Sequence, residues 1–214
     1  DNIACTGTCD DATTESLFVI TESPNGSTIL DGFTFVTGTA EHDPPSAIIF
    51  MGNFSANPDT GKPIIIRNNI FNPTANNEFI HASTNKGVIH NNSLDASANI
   101  PVQTNGNCRA GVVGFVRHKM ASANPAWGTA ATFGSADSDG EHHLYIENNT
   151  LINDVENPLD ADDYGRTVFR FNTVTNGGLA THGVDTSGTG VRYAEVYGNT
   201  FIYDGILQAN CTFG

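Results

Sequence analysis

The sequence has few basic residues and no long apolar run. Lysine and arginine together number 9, against 23 aspartates and glutamates, so the formal net charge is −14. Because phosphate binding depends on lysine and arginine, we expect no nucleic-acid partner. No stretch of about 18 apolar residues is present, so the sequence predicts no insertion into a membrane. The acidity fits simple solubility, or else binding of a cation or of a substrate with little negative charge.

Cysteine is also scarce, with four residues in the chain. Cys5 and Cys9 are close enough in sequence for a local disulfide, while Cys108 and Cys211 can pair with each other or stay free. The sequence does not choose among the possible pairings, and the spacing without nearby histidines argues against a zinc site. An even cysteine number in a chain rich in Asn and Thr and poor in Lys favours an extracellular or cell-surface location.

A short repeated unit sets the expected architecture. Each copy reads apolar, any, apolar, any, any, Asn, small or apolar, apolar, and the copies stand at 64–72, 87–95, 144–153, 167–177 and 194–203. The marker asparagine of each copy is at 69, 92, 149, 172 and 199, which gives intervals of 23, 57, 23 and 27 residues. We interpret the 57-residue interval as two turns plus an insertion. A period near 23 is too short for the helix-containing solenoids, and it predicts a coil of short parallel strands, three to a turn.

The repeat also predicts which side chains face the core. Alternation along a strand directs one residue of each copy inward, where it stacks on its equivalents, namely Ile66, Ile89, Ile146, Phe169 and Val196. The marker asparagines are expected to stack at the following bend as a hydrogen-bonded ladder. Arg67 and Arg170 share another place in the repeat, and we expect them to extend into solvent in a structural role.

The remaining segments fit the same coil less clearly. A degenerate first copy lies at 30–36, and a short buried strand is expected at 47–51. The third strand of each turn is expected at 78–82, 111–116, 158–161, 178–182 and 206–209. Residues 1–28 are predicted to be irregular, and residues 117–143 to form a long loop insertion. Loops of that length are uncommon unless they are functional or disordered.

The repeat over about 65–205 resembles the right-handed parallel β-helix of the pectin-lyase-like superfamily. The later half is similar to a group of uncharacterised secreted bacterial β-helix proteins. That likeness rests on Tyr-Ile-Glu-Asn-Asn at 145–149, an acidic segment at 160–166, Val-Phe-Arg-Phe-Asn at 168–172, Thr-His-Gly at 181–183 and Glu-Val-Tyr-Gly-Asn at 195–199. The resemblance implies an all-β, right-handed parallel β-helix of about 6–7 turns, with residues 1–214 as one domain. The superfamily contains polysaccharide lyases, glycoside hydrolases, esterases, phage tailspikes and non-catalytic surface proteins, so the fold does not imply one reaction.

Candidate catalytic residues lie on the third strands and the bends that follow them, where the resemblance implies a functional outer face. They are His182, Asp185, Asp160, Asp162, Arg166, Arg192, His81 and His118. If Ile80 and Leu159 point inward, then His81, Asp160 and His182 line one groove that suits an extended polysaccharide. In a hydrolase, two of the carboxylates act as acid and base. In a lyase, an arginine or histidine removes the proton beside a uronate carboxylate, and a cation neutralises that carboxylate. In a third interpretation the site only binds, and each histidine alone also fits a bend residue that bonds the backbone.

Two further features carry expectations about partners. Asp137, Asp139 and Glu141 resemble part of a Ca²⁺-binding loop, although a solvated acidic turn is the alternative because the full pattern is missing. No amphipathic helix is expected at either end of the coil, so its end strands are predicted to be uncapped. The alternative function is therefore structural: a surface, filament or tailspike-like module that assembles through these ends, for example as a homo-oligomer.

Overall fold

The protein is described from a computed structural model, which covers residues 18–36, 47–52, 62–72, 78–84, 86–96, 114–118, 143–152, 157–161, 165–181, 191 and 193–203. The first sheet contains β1 (Phe18–Ile20), β4 (Ala47–Gly52), β7 (Glu78–Ser83), β10 (Gly114–His118), β13 (Asn157–Ala161) and β16 (Leu179–Thr181). The second contains β2 (Thr28–Asp31), β5 (Ile64–Arg67), β8 (Gly87–His90), β11 (Leu144–Glu147), β14 (Arg166–Arg170) and β17 (Tyr193–Tyr197). The third contains β3 (Thr34–Val36), β6 (Ile70–Asn72), β9 (Ser93–Asp95), β12 (Thr150–Ile152), β15 (Thr173–Thr175) and β18 (Thr200–Ile202).

The chain visits the three sheets in rotation, so every third strand returns to the same sheet. All pairings between these strands are parallel, and each strand lies between its equivalents from the preceding and following passes. The described residues contain strands and no helix, which confirms the all-β prediction with parallel sheets. A helix long and apolar enough to cross a membrane is therefore also lacking in the described part of the chain.

The core is formed by rows of inward side chains that repeat from strand to strand. In the second sheet Ile66, Ile89, Ile146 and Phe169 occupy one register row and are fully buried. The third sheet contributes a parallel row, Phe71, Leu94, Leu151 and Val174. Because neighbouring strands lie about 4.8 Å apart, each apolar side chain packs on the next along the coil.

Buried asparagine side chains link successive passes at the bend between the second and third sheets. Asn92 is representative: its Nδ2 donates to the carbonyl oxygen of Ile66 at 3.1 Å and to Oδ1 of Asn149 at 3.0 Å. Its backbone N–H donates to the same Oδ1 at 2.9 Å. Equivalent side-chain bonds join the other neighbours in the line, Asn69 to Asn92, Asn149 to Asn172 and Asn172 to Asn199. Each buried amide is thus satisfied by the next pass of the chain.

The residue that precedes each bend asparagine has a left-handed backbone, and so does Gly32, which holds the same place before Phe33. Along the coil these residues are Gly32, Asn68, Asn91, Asn148, Phe171 and Gly198, with φ between 54° and 78°. Glycine and asparagine adopt this conformation readily. A phenylalanine does not, and the conformation costs an ordinary side chain about 1–2 kcal/mol.

The structure corrects three expectations about the course of the chain. The 57-residue interval is one pass and not two, because β8 pairs directly with β11 and Asn92 bonds directly to Asn149. The coil also begins earlier than predicted, since β1 lies inside the supposedly irregular residues 1–28 and pairs with β4. Finally, β10 extends through His118, so the predicted loop at 117–143 overlaps the end of a strand.

Candidate functional site

The first sheet carries a row of chemically varied residues on its outer face. Phe50, His81 and Asp160 belong to this row, and the backbone register continues it through Arg117 of β10 and Ala180 of β16. Ile80 and Leu159 are buried, so alternation turns His81 and Asp160 outward, as predicted. The predicted groove also included His182, which lies outside the described residues.

Two members of this row are in direct contact. The imidazole of His81 stacks on the ring of Phe50, with centroids 5.4 Å apart and planes inclined by 15°. Phe50 is only 3% exposed although it lies on the outer face, so this end of the row is sheltered from solvent. His81 and Asp160 are each half-buried. The outer row is therefore a partly covered polar strip.

His118 and Arg166 lie in the interior and not on the outer face where we expected them. His118 follows Val116 by two residues, so alternation places both inward, and His118 shares its row with Ala82 and Ala161. Its Nδ1 lies 2.6 Å from the hydroxyl of Thr167. Arg166, the first residue of β14, is fully buried. Both side chains are thus withheld from solvent: His118 because it faces the core, and Arg166 although it has the same parity on β14 as the outward-facing Arg170.

Burial determines the protonation state of His118. The pKa of His118 is lowered from 6.5 to about 3, chiefly by desolvation; a backbone hydrogen bond with Thr84 opposes the shift, and electrostatic interaction with His81 and His143 adds to it. Its Nε2 is buried and has no hydrogen-bond partner among the described residues. His118 is consequently neutral near pH 7, in either tautomer.

His143 extends this group toward the second sheet. The ring of His143 is 4.8 Å from that of Tyr193, and Tyr193 pairs with Arg166 across β17 and β14. We use the name polar corner for His81, His118, His143, Asp160 and Arg166. These residues lie at or near the ends of the strands where the chain passes from the first sheet to the second. Imidazole, carboxylate and guanidinium groups are the components of acid–base chemistry.

The structure describes four of the eight predicted catalytic residues, namely His81, His118, Asp160 and Arg166, and it places the first three on neighbouring strands of the first sheet. The other four, Asp162, His182, Asp185 and Arg192, lie outside the described residues, as do the predicted calcium ligands Asp137, Asp139 and Glu141. Across the described ranges, no group of three or more His, Cys, Asp or Glu side chains is arranged to hold a metal ion. The four cysteines are also outside these ranges, so the disulfide remains a prediction.

The outer face of the second sheet carries a second polar row. Its members, in register, are Asp31, Arg67, His90, Glu147, Arg170 and Tyr197. Arg67 is 2.9 Å from Asp31, and the guanidinium of Arg170 is 2.6 Å from Glu147. Arg170 also donates to the hydroxyl of Tyr197 at 2.9 Å, and this bond, then the one to Glu147, raises the pKa of Arg170.

No family model, curated protein or solved structure matches this chain. The likeness to the pectin-lyase-like superfamily accordingly stays a prediction from the repeat.

Sequence reasoning treated Arg67 and Arg170 of the second polar row as structural, considered His142 and His143 only as a pair of metal ligands, and did not single out Tyr193. A signal for the row was present, because the place held by Arg67 in the repeat is polar in each later copy. No comparable signal marked His143, which is brought next to Tyr193 by strand pairing across 50 residues of sequence.

Proposed function

We propose that the chain is a right-handed parallel β-helix of about 6–7 turns, stabilised by an asparagine ladder. The rotation of the chain through three parallel sheets supports the helix. The handedness follows from the strong preference of parallel strand connections for the right-handed form. The chain of asparagine bonds from Asn69 to Asn199 supports the ladder.

We further propose that this β-helix acts outside the cell on carbohydrate, with cleavage of a polysaccharide as the leading enzymatic version. The polar corner supports the proposal, because two half-buried groups, His81 and Asp160, lie on the strands that flank the one carrying the buried His118. The half-buried groups are the ones that a bound sugar chain reaches.

Two cleavage reactions fit this arrangement. In elimination, His81 takes the proton beside a uronate carboxylate, and an arginine stabilises the charge that develops. In hydrolysis, Asp160 and a second carboxylate, Asp162 or Asp185, act as acid and base. The corner's imidazoles favour the first reaction, while the net charge of −14 favours a substrate of low charge and hence the second.

A product assay separates these reactions. The protein is incubated with a polygalacturonate, a xylan and a neutral glucan, and reducing ends are measured together with the ultraviolet absorbance of unsaturated uronates. Both signals rise in elimination, whereas only reducing ends rise in hydrolysis. His81→Ala should abolish the elimination signal and Asp160→Ala the hydrolysis signal, whereas Arg67→Gln on the second sheet should change neither. Full activity in both His81→Ala and Asp160→Ala would show that the chemistry is elsewhere.

A structural module is the second candidate, and one observation favours it. Among inward residues of the last described pass, Val196 is 48% and Phe201 50% exposed, while Leu30 and Phe35 of the first pass are 6% and 5% exposed. An apolar end of this kind suits assembly with another molecule. Filaments or oligomers without glycan binding or cleavage would favour this function.

A further inference from the structure

Phe171 occupies a backbone position that suits other residues better. Its φ is 57°, and the equivalent bends hold asparagine or glycine. The backbone does not require the aromatic residue: the N–H of Phe171 donates to the carbonyl of Tyr197 at 3.3 Å, and that of Asn148 makes the equivalent bond to Arg170 at the same distance. Strain of this kind persists where the surroundings or the function require it.

Burial does not explain the ring either, because Phe171 is 50% exposed. The ring is held in place from below and from the side. A Cβ at Gly198 would come within 2.6 Å of the ring, so the absence of a side chain at residue 198 makes room for the ring. Tyr197 packs against it edge-on at 5.6 Å, and the guanidinium of Arg170 is 5.7 Å from its centroid.

The neighbours of Phe171 form an open surface with it. Tyr197 is 41% exposed, and Arg170 is fixed by Glu147 and by the Tyr197 hydroxyl. We use the name aromatic platform for Phe171, Tyr197 and Arg170. It presents an apolar ring face beside hydrogen-bonding groups that are already oriented, a combination that suits a ligand with both C–H and hydroxyl groups.

We propose that the aromatic platform binds a pyranose ring of the polysaccharide, with Phe171 stacked on the C–H face of the sugar. A cationic ligand is disfavoured by Arg170, and a nucleic acid by the net charge of −14. The inference rests on the proposed carbohydrate function and adds a second contact to it. Strand β14 begins at Arg166 in the polar corner and ends beside Phe171, so the two sites are about 16 Å apart. A chain of a few sugars spans that distance.

The test is Phe171→Asn, which installs the residue that the three preceding bends carry. Affinity electrophoresis in gels containing polygalacturonate, xylan or neutral glucan measures binding, and thermal unfolding measures folding. The variant should fold with an unchanged or higher midpoint and bind the preferred glycan at least tenfold more weakly. If the glycan is cleaved, KM should rise with kcat unchanged. Phe171→Trp should retain binding, and Asn91→Gly, at the same bend two passes earlier, should bind like the wild type.

The possible failures are distinct. If the wild type and Phe171→Asn bind a glycan equally tightly, the proposed role of the aromatic platform is overturned, while the polar corner is unaffected. A wild type that neither binds nor cleaves any of the three glycans overturns the proposed function and the platform together. Binding of an aromatic peptide surface by the wild type, in place of glycan, would likewise overturn the sugar assignment.

Discussion

At the scale of the residue, His118 couples stability to pH. The pKa of His118 is about 3 in the folded chain and 6.5 when unperturbed, so the unfolded state binds a proton at a pH where the folded state does not. The contribution of His118 to the free energy of unfolding is therefore fully present above its unfolded pKa. That contribution is lost as the pH falls from 6.5 to about 3, by as much as about 5 kcal/mol.

We predict that His118→Gln, which cannot titrate, removes this component of acid sensitivity. Urea unfolding of the variant and the wild type at a series of pH values gives the free energy of unfolding for each. The wild type should lose stability relative to the variant as the pH falls below about 6.5. Two parallel profiles would mean that His118 is already accessible to protons in the folded state.

At the scale of the element, the bend between the second and third sheets depends on its asparagines. Removing the Asn149 side chain leaves the backbone N–H of Asn92, which donates to it at 2.9 Å, without its acceptor. The side-chain Nδ2 of Asn92 loses one of its two acceptors and keeps the carbonyl oxygen of Ile66. Since buried groups without partners are costly, the effect should spread to the neighbouring pass.

We predict that Asn149→Ala lowers the free energy of unfolding by about 1–3 kcal/mol. The matched control is Asn148→Gly, one residue earlier at an exposed position with φ of 55°, where glycine fits and little change is expected. Chemical denaturation of both variants measures the difference. Equal effects would mean that the backbone, and not the buried amide, stabilises the bend.

Much of the coil could be predicted from the repeat, because inward apolar residues and bend asparagines recur at fixed places. The outward positions of His81 and Asp160 followed from alternation. The same alternation applied to Val116 would also have placed His118 inside, had the strand been extended by two residues. The single pass between Asn92 and Asn149 could not be predicted, because an insertion changes the spacing without changing the pairing. The contact of His143 with Tyr193 depends on tertiary packing, which no local pattern encodes.

At the scale of the whole molecule, the exposed apolar residues of the last described pass allow a test of assembly. We predict that the protein forms concentration-dependent oligomers through this end, and that Val196→Glu weakens them because a buried charge is costly at an interface. Val36→Glu is the control, since Val36 is 68% exposed on the outer face of the third sheet. Sedimentation velocity over a range of concentrations measures both variants. A wild type that stays monomeric throughout would remove the support for a structural module.

The direct pairing of β8 with β11 has a consequence for cooperativity. A coil is stabilised chiefly by contacts between adjacent passes, so its folding spreads from one pass to the next. Asn69 and Asn92 are separated by 23 residues, and Asn92 and Asn149 by 57. Closing the longer connection costs about 0.8 kcal/mol more in chain entropy. Folding should therefore slow at this junction, and the passes on its two sides should behave as separate blocks in hydrogen exchange.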